Sequence, residues 1–271
     1  MICDLHCHTT TSDGLYTPAQ LVRMAAKAGI DIIAVTDHDT VEGCDEAVAT
    51  IKQEQLSLKL IKGVELSIDS ADSGTVHLVG LGIDTDNKKL RERLEDFKED
   101  REKRIYRTLA KLAELGYLLS IQDVLALTGE DVKSLGRPHV AAALVQKGYF
   151  KNVQDAFDRL LYTNGPAYIR HLKPKIKEAV KLIHDAGGLA IIAHPHTIKN
   201  EEIFEQLLQS GVDGLEAYYP EHTPEKLKEY KNIAFSRNLK ISGGSDFHGI
   251  AGKYPPRLGV YTLAVQLLNL W

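Results

Sequence analysis

Ile32-Ile33-Ala34-Val35-Thr36 decides the fold. A strand with one face in water alternates apolar and polar residues. An unbroken run such as this one belongs to a strand buried on both faces, as in a parallel sheet. Upstream, Thr17-Pro18-Ala19-Gln20 reads as a capping box with Pro at the first helical position. The helix it opens carries Leu21, Met24, Ala25 and Ala28 at helical spacing, and Gly29 is placed to end it. Ile2 to Cys7 reads as a further strand, and a second helix is expected from about Val41 to Gln53. Strand, helix, strand, helix is the signature of a βα-repeat fold.

Two more strands are expected, Leu58 to Leu66 and Thr75 to Gly82. Only about ten residues separate Glu65 from Val76, whereas a parallel crossover needs a dozen or more. The pair is therefore expected to be hairpin-like, with His77 brought close to Glu65. From Asn87 to about Ala113 the chain is helical, and its charges of mixed sign read as a solvated face. Short helices are expected at about 121–128, 138–147 and 153–161, with no strand between Asp84 and Tyr168. This stretch reads as a helical insert over one end of the barrel. The βα pattern then resumes. Helices at 175–186, 201–209 and 224–237 lead to strands Leu189 to Ala193, Val212 to Tyr218 and Leu239 to Gly243, and a last strand is expected around Gly259 to Leu263.

The 271 residues suffice for one α/β barrel with a small insert. A net charge of −4 gives no basic field to hold long nucleic acid. No apolar run approaches the roughly 20 residues of a membrane helix, and the N-terminus does not read as a signal peptide. The three cysteines, Cys3, Cys7 and Cys44, form no CxxC pair. They fit a reducing cytoplasm, with Cys3 and Cys7 as buried strand residues.

The chemistry lies at the strand ends. His6 and His8 are two apart on the first strand, so period-two geometry turns both to one face, which Asp4 shares. The second strand ends in Thr36-Asp37-His38-Asp39 and the third near Glu65. His77 lies in the hairpin partner, strand 189–193 ends in His194, and strand 239–243 leads to Asp246-Phe247-His248, another alternate pair. Asp13 follows the first strand. Singly, each has a bland reading: a core histidine, a turn, a helix cap. Packing alone selects no row of His and carboxylates at one end of successive strands, because unpaired buried charge is costly. A metal site at the C-terminal rim of a barrel accounts for the pattern.

The motifs DLHCHTTTSDG, DHDT, GVELS, HLVGLGID, AHPH and GGSDFHG resemble the PHP (polymerase and histidinol phosphatase) family across nearly the whole chain, most closely its stand-alone, nucleotide-acting branch. The resemblance implies an α/β fold: a distorted (β/α)7 TIM-like barrel with a small helical insert. The barrel domain is expected at 1–86 and 168–271, and the insert, or cap, at 87–167. It also implies two or three clustered divalent ions. His6, His8, Glu65 and Asp246 are expected to hold one. Glu65 bridges to a second, completed by His77 and His194, and Asp13, His38 and His248 hold the third. Some members carry His where this chain has Asp13, so an oxygen ligand retunes that site. The mixed N/O donor set suits Mn, Fe or Zn better than Mg or Ca. The expected nucleophile is a water held by the cluster, with Glu65, His194 and Asp246 as the catalytic residues.

Substrate-binding candidates lie nearby. In Gly136-Arg137-Pro138-His139 the Pro suits a first helical turn, Arg137 offers a planar fork to phosphate, and His139 is in the same turn. Tyr168, His171, Lys173 and Lys175 form a basic lip. Glu216 ends a strand at the same rim, followed by Tyr218 and Tyr219, either of which can stack on a base. Arg257 lies in a Pro-rich loop within reach of a second phosphate. His196 and His222 are secondary candidates, and His184 reads as a surface residue. The expected reaction is metal-dependent phosphomonoester hydrolysis on a nucleotide. The favoured substrate is the 3′-phosphate of a 3′,5′-bisphosphonucleotide or the 5′-end of a short oligoribonucleotide. The alternatives are a histidinol-phosphate phosphatase, a vestigial PHP binding or regulatory module and, least favoured, an amidohydrolase.

Overall fold

In the computed structural model, strand β2 (Ile32–Val35) is buried at every residue. The model describes residues 2–69, 75–127, 136–162, 164–170, 172–250, 258–259 and 263–264. β2 lies between β1 (Ile2–Asp4) and β3 (Lys59–Ser67) and is parallel to both. Alternation divides its side chains between two cores. Ile32 and Ala34 join Cys3, Leu5, Ile61, Val79 and Ile191 on one side. Ile33 and Val35 pack with Leu21, Val22, Ala25, Cys44 and Ala47 of two covering helices, α1 (Pro18–Lys27) and α2 (Gly43–Gln53), on the other.

Thr17 Oγ1 accepts from the Gln20 N–H while Gln20 Oε1 accepts from the Thr17 N–H, so the expected capping box starts α1. Gly29, at φ +74°, ends it in the left-handed conformation that glycine adopts without strain. The buried stripe is Leu21, Val22 and Ala25. Full burial of Leu21 contributes about 2 kcal/mol.

β4 (His77–Leu81) runs antiparallel to β3, as the short connection requires, and pairs antiparallel with β5 (Leu189–Ile192) as well. β6 (Gly214–Tyr218) and β7 (Lys240–Gly243) follow in parallel. β8 (Leu263–Ala264) pairs antiparallel with β1. The order is β7-β6-β5-β4-β3-β2-β1-β8. The sheet curls round. Leu5 N–H donates to Gly243 O at 3.2 Å and His8 N–H to Phe247 O at 2.9 Å, joining the continuation of β1 to that of β7. The fold is the expected α/β distorted barrel. β1 ends at Asp4, not Cys7, because from Leu5 onward the backbone bonds scatter among Gly243, Thr36 and Phe247 and make no regular ladder.

Helices α7 (Ile176–Asp185), α8 (Glu201–Leu208) and α9 (Pro224–Ser236) belong to the same compact unit, which comprises 1–94 and 173–271. A second unit, 95–172, begins inside the long helix α3 (Lys88–Glu114). It contains α4 (Ile121–Leu125), α5 (Arg137–Gln146), α6 (Val153–Ala156) and a π-helical turn, Phe157–Leu161. Its core is its own, with Ile105, Leu109, Leu112, Val140, Leu144 and Leu161. Among the described residues from 82 to 188 there is no strand, and no described helix is long and apolar enough to cross a membrane.

Candidate metal centre

Parallel strands deliver their C-terminal ends to one rim, and the reversed β4 delivers its first residue there. Glu65, near the end of β3, is 1% exposed and stands at the middle. Its Oε1 lies 2.8 Å from His77 Nδ1 and 2.9 Å from His194 Nε2. Its Oε2 lies 2.9 Å from His38 Nδ1, 3.2 Å from His8 Nε2 and 3.4 Å from His6 Nε2. Asp246 Oδ1 approaches His8 Nε2 at 3.1 Å and His6 Nε2 at 3.5 Å. Asp13, half exposed, places Oδ1 3.2 Å from His248 Nε2 and Oδ2 3.8 Å from His38 Nε2. The nine residues expected from the sequence as metal ligands thus lie together. Their atoms group as His6, His8 and Asp246; His38, Glu65 and His77; and His8, Asp13, His38 and His248. His38, expected only beside Asp13 and His248, also faces Glu65.

Hydrogen bonding decides whether this donor set fits cations. His6 Nδ1 donates to Glu216 Oε1 at 2.9 Å, and His248 Nδ1 donates to Asp246 O at 2.8 Å. The Thr197 hydroxyl hydrogen goes to a backbone carbonyl, Thr75 O or His194 O, so Thr197 Oγ1 accepts from His194 Nδ1 at 3.1 Å. With Nδ1 carrying the hydrogen, each neutral ring turns a bare Nε2 on carboxylate oxygens. Lone pair then faces lone pair, which only protons or a shared cation can reconcile. Glu65 Oε2, Asp246 Oδ1, His8 Nδ1 and His38 Nδ1 are buried without a well-aligned hydrogen bond. Such orphans are rare in folded proteins, and a cation would satisfy them. The residues present fit divalent metal binding.

The electrostatics agree. Burial opposes the ionised form of Glu65, but His77, His38 and His6 hold its carboxyl well below the usual range. Burial likewise opposes charge on His8, yet Asp246 and Glu65 push it up to about 10. Burial prevails at His77 and lowers it to about 4, so His77 is neutral at pH 7 and its nitrogen is free to coordinate.

Strand geometry explains His6 and His8 only in part and Asp246 and His248 not at all. The latter pair, expected as alternate residues on one strand face, lies beyond β7, and Asp246 reaches the cluster through a left-handed φ of 52°. Asp39 (φ 52°) and His194 (φ 26°) end β2 and β5 in the same unfavourable region. Each costs on the order of 1–3 kcal/mol, the kind of strain found at functional sites. Asp4, expected to share the ligand face, instead accepts from the Ser245 N–H through Oδ1 at 2.8 Å, holding the loop that carries Asp246.

Other expectations change on contact with the structure. Glu216, read as substrate-binding, is 1% exposed. One oxygen is taken by His6 and the other by the His194 N–H at 2.6 Å, so neither is left for substrate. Tyr219, read as a base stacker, is buried, and its hydroxyl donates to Asp246 Oδ2 at 2.8 Å. The Tyr218 ring faces Lys231 Nζ at 5.7 Å. His196 Nδ1 lies 3.0 Å from His222 Nε2, so these two are engaged with each other. Asp37 was passed over in the sequence. It accepts from Thr9 N, Thr9 Oγ1 and Ser12 Oγ, each at 2.7 Å, and so fastens the loop that bears Asp13.

Within the helical unit, Arg137 opens α5, donates to Leu161 O at 2.9 Å and lies over the Tyr168 ring at 5.3 Å. His139 Nδ1 accepts from the Gly136 N–H at 3.0 Å, which makes it a capping residue of α5. Arg104 was read as part of a solvated helix face. Burial, with the Arg137 and Arg101 cations nearby, pushes it down to about 10 instead. Crowded cations of this kind favour an anion. Arg257 and His171 lie outside the described residues.

The model of the PHP domain family matches residues 4–244. The chain belongs to the PHP domain family. This membership makes it a metal-dependent phosphoesterase. Three curated relatives carry different names. A 5′-3′ exoribonuclease of Haemophilus influenzae is 35% identical over 250 residues, covering 90% of this chain and 89% of the relative. A phosphoribosyl 1,2-cyclic phosphate 1,2-diphosphodiesterase of Eggerthella lenta is 32% identical over 257 residues, covering 94% and 97%. A 3′,5′-nucleoside bisphosphate phosphatase of Chromobacterium violaceum is 32% identical over 250 residues, covering 90% and 86%. Among solved structures, a protein of Bifidobacterium adolescentis assigned as a metal-dependent phosphoesterase is 31% identical with a TM-score of 0.77, covering 98% of this chain and 93% of that one.

Proposed function

We propose that this PHP protein removes phosphate from a nucleotide that carries a second phosphate. The favoured substrate is the 3′-phosphate of a 3′,5′-bisphosphonucleotide or the 5′-end of a short oligoribonucleotide. The observation that carries the reading is Glu65, whose two oxygens face five imidazoles from four strand ends. We assign His6, His8, Glu65 and Asp246 to one divalent ion, Glu65, His77 and His194 to a second, and Asp13, His38 and His248 to a third. Mn, Fe and Zn suit this donor set. Such ions, when bound, neutralise phosphoryl oxygens and make water nucleophilic at neutral pH.

The chain's own residues supply the rest. Glu65 and Asp246, held ionised, provide the negative charge that keeps cations close together. Tyr219, Glu216, Thr197 and Asp37 hold those ligands in place. Arg137 is assigned to the second phosphate on its motif and on its place beside Arg104, and His139 and Tyr168 accompany it in that assignment. All three belong to the helical unit, to which we give the role of a substrate-recognition cap.

The activities for which the relatives are named support a phosphorylated ribose as the common element. The match to the cyclic-phosphate diphosphodiesterase over nearly both whole chains favours a second reading, a phosphorylated ribose without a base. One experiment separates them: phosphate release, with added Mn, from 3′,5′-bisphosphoadenosine, 5′-AMP, a 5′-phosphorylated dinucleotide, a phosphoribosyl 1,2-cyclic phosphate and histidinol phosphate. Preference for the bisphosphate or dinucleotide supports the nucleotide reading. Preference for the cyclic phosphate supports the second, and preference for histidinol phosphate overturns both. Silence, with metal bound, favours a binding module.

A further inference from the structure

Glu216 is a buried carboxylate in an otherwise apolar strand, flanked by the fully buried Leu215 and Ala217. Its ion-pair partner is His6 rather than Lys or Arg. Burial of a carboxylate costs several kcal/mol unless the geometry of its bonds compensates. Here the bonds reach two different parts of the rim. Oε1 accepts from His6 Nδ1 at 2.9 Å, and Oε2 accepts from the His194 backbone N–H at 2.6 Å. β6 lies between β5, which leads to His194, and β7, which leads to Asp246. One carboxylate therefore spans from the neighbouring strand end to the far side of the barrel closure.

We infer that Glu216 is a shared positioning residue for ligands of two different ions. This rests on the metal-centre reading above. At His6 it keeps the hydrogen on Nδ1, leaving Nε2 bare toward Glu65 and Asp246. At His194 it acts on the backbone, tethering a residue held at φ 26°, ψ 62°. Without that tether the left-handed turn relaxes and withdraws His194 Nε2 from Glu65. The two ions are thus acquired as a coupled set.

Glu216→Gln isolates the point, because it keeps shape and removes one acceptor. An amide offers one oxygen, and its nitrogen only donates. If the nitrogen faces His6, the hydrogen of His6 must move to Nε2, the atom offered to the ion. If it faces the His194 N–H, the turn loses its tether. Each way one of the two ligands fails, and because Glu65 faces His194 through one oxygen and His6 through the other, loss of either ligand weakens both ion sites.

The test is zinc titration of the full chain by calorimetry, wild type against E216Q, at a pH and temperature where circular dichroism shows both folded. Zinc serves as a diamagnetic probe. Affinity is expected to fall about 10–100-fold, as for outer partners of metal ligands, with the His6 and His194 steps weakened together. Wild-type affinity in E216Q, or weakening of one step alone, overturns the inference and leaves the metal centre standing. No zinc binding by the wild type overturns both. Should E216Q not fold, nitrogen-15 NMR of the histidines in the zinc-loaded wild type decides. A hydrogen-bonded Nδ1–H on His6 is expected, and a hydrogen on Nε2 overturns the inference.

Discussion

Tyr219 donates its hydroxyl hydrogen to Asp246 Oδ2 across 2.8 Å, which leaves Oδ1 as the oxygen aimed at His6 and His8. Burial, with Asp246 and Glu216 nearby, raises Tyr219 well above the ordinary phenol range, so it stays a donor at every working pH. Tyr219→Phe leaves Asp246 free to turn. Metal affinity is expected to fall roughly 10–100-fold, at a stability cost of about 1 kcal/mol. Calorimetric metal titration and a melting curve check the two separately.

Asp246→Asn removes the charge that faces two imidazoles while keeping the side-chain volume. Turnover is expected to fall by more than the roughly 10–100-fold typical of an outer-shell change, with circular dichroism unaltered. Undiminished kcat in the variant would remove Asp246 from the metal centre.

Stability should depend on pH in opposite senses with and without metal. His8 is raised from 6.5 to about 10 in the metal-free protein, and His6 is raised too. A raised group stabilises fully below its unfolded pKa and loses that contribution as pH climbs through the folded one. The chelated protein should therefore melt at lower temperature as pH goes from 6.5 toward 10. The metal-loaded protein should melt at higher temperature over the same range, because the imidazoles must shed protons to coordinate. Parallel melting series with and without chelator test this. Equal slopes would contradict it.

Arg137→Ala should raise KM for 3′,5′-bisphosphoadenosine about 10–100-fold, the worth of a lost charge-assisted hydrogen bond. 5′-AMP hydrolysis should change little. Arg137→Lys should not restore KM, because a point charge lacks the planar fork. Equal effects on both substrates would show that Arg137 does not read the second phosphate.

Much of this was legible in the chain. The reversal of β4 follows from the length of one connection, and the clustered His and carboxylates stand out as residues too costly to bury without purpose. What could not be read depends on distance in sequence. Glu216 meets His6 across 210 positions, and no local pattern announces it. Its only signal was a carboxylate inside an apolar strand, which fits an outer partner as well as a substrate contact. Asp246 and His248 come together by a left-handed backbone turn, where the sequence pattern implied strand alternation. Arg104 was hidden by composition. In a helix of mixed charges, a cation that feels Arg137 looks like all the others.

Asp39, His194 and Asp246, three of the six described non-glycine residues at positive φ, put part of this protein's backbone strain where its chemistry is. Relaxing those three turns would harden the fold, since each stores free energy that packing elsewhere must offset. A population selected only for heat resistance would gain by drifting at positions 39, 194 and 246, and should lose catalysis as it does so. Durability and turnover are opposed here at identifiable residues, and a thermostable working enzyme would have to be built from changes made everywhere except the rim.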